Sequence, residues 1–155
     1  MEKKPERRIC VIWSLQALLI FSVLGSVLTV GIAFLTEFNP VTVFVLSQVG
    51  GVILAGLHTF YRYLSWGFEI KDDHLYLEHG VLRKTYSMVP FVRIQHVDTQ
   101  RSVFDRVLSL SSIVVYTAGS RGADVAIPGL EPDDADEMQG KLRDEAVESE
   151  DSDGV

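Results

Sequence analysis

The chain has 155 residues, 47% of them hydrophobic, and a formal net charge of −7. That charge is uneven: residues 62–130 carry eight basic and seven acidic side chains, whereas eleven acidic residues and only Lys141 and Arg143 follow from Glu131 onward. No basic stripe of the kind nucleic-acid binding requires is present, and the single cysteine, Cys10, excludes an intrachain disulfide.

Two stretches organise the chain. No charged residue lies between Arg8 and Glu37, and none lies between Glu37 and Arg62. A helix crossing the hydrocarbon core needs about 20 consecutive apolar residues. Both stretches exceed that, so the sequence predicts a helical hairpin over residues 9–61, with spans at about 9–35 and 40–61. A cleaved signal peptide is a weaker reading of the first run, which is too long for an h-region and lacks a small-residue cleavage site. Lys3, Lys4, Arg7 and Arg8 make residues 1–8 a basic segment, expected to stay in the cytoplasm. Cys10 at the membrane edge could be palmitoylated; a small lipid-facing residue is the simpler expectation.

The connection Thr36-Glu37-Phe38-Asn39-Pro40 has no Lys or Arg, as expected of an outside loop, with Asn39 placed to cap the second helix and Pro40 suited to its first turn. Arg62 after the second span places both termini and the C-terminal part on the cytoplasmic side of a cell membrane. Tyr61, Tyr63, Trp66 and Trp13 form an aromatic belt there. Within the spans, Ser47, Gly51 and Ala55 recur every four residues, a small-residue stripe that lets another helix approach. Counting depth at about 1.5 Å per residue, Gln48 falls level with Ser22, and a hydrogen bond between them is expected. The stripe could instead pair two copies of the chain. With no ionisable group in mid-membrane, a transport pathway is disfavoured.

After Trp66 the pattern changes to alternation. Residues 67–79 read as strand, Asp72-Asp73 turn and strand, with Leu75 and Leu77 on one face. Gly80 opens a turn, residues 82–89 form a third strand, and Pro90 interrupts it. Residues 92–102 read as extended, with Val92 and Ile94 on one face and a bulge near Gln95 and His96, because Val97 breaks the phase. Residues 103–110 suggest a helical turn. Two β-branched strands then flank the Gly119-Ser120-Arg121-Gly122 loop. Pro132 opens a last helix, with Asp133, Asp134 and Asp136 in its first turn and Lys141 and Arg143 late. Ala135, Met138 and Leu142 give it a narrow apolar face, and residues 147–155 read as an acidic disordered tail. Residues 62–146 thus form one small domain.

Several segments together carry a family likeness. They are Arg93-Ile94-Gln95-His96-Val97-Asp98, Phe104-Asp105-Arg106 with Leu108-Ser109-Leu110, Thr117-Ala118-Gly119-Ser120 and Ile127-Pro128-Gly129-Leu130, all behind a two-helix hairpin. In that order they resemble the bacterial and archaeal pleckstrin-homology (PH)-like membrane proteins of the YdbS type, over roughly Val11 to Arg143. The resemblance implies an α+β membrane protein: an N-terminal two-helix transmembrane hairpin, then a small PH-like antiparallel β-roll capped by a C-terminal helix. It also implies a membrane-tethered interaction domain with no catalytic residues to carry over. The acidic tail and the preference for Asp, Glu and Arg over Lys resemble a haloarchaeal member.

Catalysis would require a nucleophile, base and orienting group, or a metal cluster. His74 and His79 are five apart in one strand and point to opposite faces. No Gly-x-Ser-x-Gly elbow or phosphate loop occurs. No enzyme activity, metal or cofactor is therefore expected. Recognition of anionic lipid head groups would need Arg83, Lys84, Arg93, Arg101 and Arg106 to converge, and Lys71-Asp72-Asp73-His74 would repel a phosphate cluster. The competing expectation is dispersed arginines paired with Asp98 and Asp105. A membrane-anchored scaffold or adaptor is the leading reading. Its partner would be another membrane protein or a second copy, docked at an edge strand or at Arg93, Gln95, His96, Arg101 and Arg106.

Overall fold

A computed structural model describes residues 3–35, 37–118 and 125–153. The chain divides into two compact units, a helix pair over residues 10–64 and a β unit formed by the residues up to Ile9 together with those from Ser65 onward.

In the helix pair, α1 spans Ile9–Leu35 and α2 spans Pro40–Leu64. At about 1.5 Å per residue both approach 40 Å, enough to cross a hydrocarbon core of about 30 Å with some tilt. Their outer faces leave Leu19, Leu24, Val27, Leu28, Leu46, Ile53 and Leu57 half to two-thirds exposed, which suits lipid and not water. Asn39 caps α2 through its side-chain oxygen, which accepts from the Val41 N–H at 3.0 Å, and Pro40 is the first helical residue. The helix continues three residues beyond the expected end at Tyr61, since nothing breaks it before the Gly67 strand.

The β unit holds two three-stranded antiparallel sheets. The first is ordered β1 (Gly67–Ile70), β2 (His74–His79), β3 (Thr85–Pro90); the second is β4 (Ile94–Gln100), β5 (Ser111–Thr117), β6 (Val125–Leu130). A short helix α3 (Val103–Val107) joins β4 to β5, and α4 (Pro132–Asp153) closes the unit. Leu75 and Leu77 on one face of β2 are fully buried with Phe68, Phe91, Leu110, Ile113, Val115 and Ile127. Ala135, Met138, Leu142 and Ala146 of α4 join that core. Burying such side chains contributes roughly 1.5–3 kcal/mol each relative to exposure.

Four details depart from the sequence reading. The third strand begins at Thr85, not residue 82, because Gly80, at φ +116°, starts a tight turn that leaves Leu82 fully exposed. A Cβ at Gly80 would lie 2.0 Å from the Arg83 carbonyl oxygen, so only glycine fits. Residues 91–93 form a 3-10 turn: Phe91 plunges into the core while Val92 points out, so Val92 and Ile94 do not share a face. The expected bulge does occur, as a register shift between Ile94 and His96. Next, α4 runs to Asp153 in place of a disordered tail from residue 147, with Ala146 still buried and Ser149 Oγ donating to the Glu145 carbonyl at 2.6 Å. Finally, residues 3–9 are not a separate tail. Lys3 and Phe68 exchange backbone hydrogen bonds of 2.8 and 2.9 Å, Glu6 N–H donates to the Gly129 carbonyl at 2.7 Å, and Pro5 is fully buried. The Gly119-Ser120-Arg121-Gly122 loop lies outside the described residues.

Candidate functional site

The helix pair packs along the small-residue stripe. Gly51, Ala55 and Thr59 are the buried residues of α2. A Cβ on Gly51 would sit 3.4 Å from Phe21 Cβ, so α1 already fills the space the stripe leaves. Ser47 Oγ lies 3.2 Å from Thr29 Oγ1, and Gln48 Nε2 donates to the Ser22 backbone carbonyl at 3.4 Å. Ser22, Ser47, Gln48, Gly51 and Ala55 are therefore placed on the seam within one chain. At the Arg62 end, its guanidinium stands 4.4 Å from the Trp13 ring centroid, a cation–π arrangement.

In the β unit the five candidate surface residues fall in three places. Gln95 and His96, at the β4 bulge, line a groove of about 750 Å³ whose other wall is α4, through Asp136, Gln139, Gly140, Arg143, Ala146 and Val147. Arg93 instead borders a hollow with Tyr86, Met88 and Thr117. Arg101 precedes α3 and Arg106 lies in its last turn; Arg101 Nε donates to the Leu110 carbonyl at 3.1 Å. The five do not converge. The pairing expected with Asp98 and Asp105 does not form either. Asp98 takes His96 Nε2 at 2.6 Å, while the Asp105 carboxylate accepts from the Ser102 N–H at 2.9 Å.

The groove has the makings of a strand-docking site. β4 pairs only with β5, which leaves its other edge without a strand among the described residues. Gln139 reaches across from α4: its Nε2 donates to the Val97 carbonyl at 2.7 Å and its Oε1 accepts from Thr99 Oγ1 at 3.1 Å. That outward carbonyl is the type of group an added strand would bond. Gly140 keeps the wall low, since a Cβ there would meet nothing within 4 Å. The floor is apolar (Ile94, Val97, Ala146, Val147) and the rim carries both signs, Asp136 and Arg143. Sequence reasoning missed Gln139 and Gly140. Gln139 directly follows Met138 on the apolar stripe, and a glycine mid-helix, which costs about 1 kcal/mol against alanine, was the available signal.

Electrostatics elsewhere bear on lipid recognition. The Asp73 carboxyl is held below its ordinary range by a 2.5 Å hydrogen bond to His74 Nδ1. The Lys84 ammonium is pushed above its ordinary range by Glu78, whose carboxylate accepts from it at 2.6 Å. The first hairpin thus presents an anion at its tip, and one cation of the next turn is already engaged.

A solved structure, that of a DUF1696 family protein with a pleckstrin-homology domain from Shewanella loihica PV-4, matches with a TM-score of 0.43 and 17% identity, over 55% of this chain and 74% of that one. The UPF0699 transmembrane protein YdbS of Bacillus subtilis (strain 168) is 25% identical over 152 residues, covering 92% of this chain and 93% of its own length. The family described as Bacterial PH domain matches residues 13–146, across most of α1, all of α2, both sheets and most of α4, and this chain belongs to that family.

Proposed function

We propose that the chain is a non-catalytic adaptor, fixed in the cell membrane by its helix pair, which docks an extended segment of another membrane protein in the groove between β4 and α4. The observation that carries this reading is the β4 edge, which has no strand among the described residues, with an open groove of about 750 Å³ beside it. An added strand would replace Gln139 at the Val97 carbonyl and lay alternate side chains on Ile94 and Ala146. Anchoring in the bilayer raises the effective concentration for partners confined to the same membrane. The charge pattern, with Lys3, Lys4, Arg7, Arg8 and Arg62 flanking the spans and Glu37 between them, supports a cytoplasmic β unit.

A head-group pocket is less well supported, because Arg93 lies apart from Arg101 and Arg106, and Lys84 and Arg101 already have partners. Pairing of two copies through the stripe is likewise less well supported, since α1 fills it.

The test is a photoreactive side chain at Val147 of the full chain in native membranes, with Lys71 as a control position. Crosslinking of a membrane protein from residue 147 only, abolished by Gly140→Trp, is the expected result. Equal yield with and without the tryptophan would remove the groove from the mechanism.

A further inference from the structure

We infer that α3 is a membrane-contact element that seats its apolar side chains in the interface of an anionic leaflet, the leaflet in which α1 begins. Val103, Phe104 and Val107 are 72%, 59% and 78% exposed. At about 100° per residue they fall within one arc of roughly 100°, with Arg106 beside it and buried Asp105 on the opposite side. Arg101 precedes the helix and is exposed.

This exposure is built in. Ser102 and Asp105 form a reciprocal capping box, with bonds of 3.2 and 2.9 Å, and Leu110 N–H donates to the Asp105 carbonyl at 2.7 Å. A rigid turn therefore holds three large apolar side chains outward, an arrangement unfavourable in water and suited to a lipid interface.

Placement and charge choose the occupant. Arg8 is the residue immediately before α1, and a charged residue flanking a span is held at head-group depth. Its guanidinium donates to the Leu108 carbonyl at 3.3 Å and pairs with Glu131. The C-terminal end of α3 is thus tied to the residue that immediately precedes α1 in the chain. Arg101 and Arg106 then add positive charge beside the apolar face, while Asp105 is turned inward to the cap, which matches anionic phospholipid.

The full chain, with Cys10→Ser and an environment-sensitive fluorophore on Phe104→Cys, is placed in phosphatidylglycerol nanodiscs. A second version carries the fluorophore on Val107→Cys, and Leu82→Cys serves as the water-exposed reference. Emission should shift to the blue at 104 and 107 and not at 82, with quenching by shallow nitroxide-labelled lipid. Arg106→Glu, or phosphatidylcholine alone, should move the emission back toward the reference. Emission at 104 and 107 equal to that at 82 would overturn the inference. So would a blue shift that nitroxide lipid does not quench and that grows with protein-to-lipid ratio, because it would assign the face to a second copy. Emission indifferent to both Arg106→Glu and lipid charge would overturn the choice of an anionic leaflet.

Discussion

Gly129 shows how much one residue can decide. It adopts φ +71°, in the left-handed region, and a Cβ there would come within 2.8 Å of Ile9 Cβ. The left-handed conformation alone costs a non-glycine residue about 1–2 kcal/mol. Gly129→Ala should therefore destabilise the β unit by about 2 kcal/mol, with most of the excess arising from displacement of residues 3–9. Denaturant unfolding of the detergent-solubilised chain measures this, and a change under about 0.5 kcal/mol, the usual range of surface substitutions, would mean the N-terminal segment yields freely. The sequence contains Ile127-Pro128-Gly129-Leu130 as a recognisable piece, yet the reason for its glycine is a neighbour 120 positions away.

At the scale of elements, the helix pair separates packing from polar contact. The Gln48–Ser22 bond is long, 3.4 Å, and interhelical hydrogen bonds in membranes average about 0.6 kcal/mol. Gly51, by contrast, is buried with Phe21 against it, so a larger side chain must force the helices apart. Gly51→Leu should weaken the hairpin several-fold more, in free energy, than Gln48→Leu, as read by thermal unfolding in detergent. The reverse order would place the seam's stability in its hydrogen bonds. The depth count that set Gln48 level with Ser22 used only helical rise and the inner ends of the spans, which is why the seam was legible without a structure. The β elements were legible less evenly. Leu75 and Leu77 announce their face by strict alternation, whereas Phe91 could not, because a 3-10 turn after Pro90 resets the phase.

For the whole molecule, the N-terminal segment links the β unit's core to the start of α1. Lys3 bonds along the β1 edge, Pro5 is fully buried and Glu6 bonds to β6. Removing residues 2–6 should cost the β unit on the order of 4 kcal/mol, from three backbone hydrogen bonds at about 1 kcal/mol each and the burial of one proline at roughly 1 kcal/mol. Hydrogen exchange at Phe68, whose N–H donates to the Lys3 carbonyl at 2.9 Å, should then accelerate while that at Val115 in the central strand changes less. Equal acceleration at both sites would instead indicate a single cooperative loss of the fold.

By itself the sequence determined the membrane-length helix pair, the alternating strands, the last helix with its acidic first turn and the family likeness. Each is written in neighbouring residues: absence of charge over a fixed length, a period of two or 3.6, or a cap at a set offset. Only the tertiary structure decided which distant residues meet. The groove lies where Gln139 meets Val97 across 42 positions, beside a β4 edge that has no second strand among the described residues, and Arg8 reaches Leu108, at the end of α3, across 100. Such meetings depend on how the whole core closes, and no local pattern encodes them.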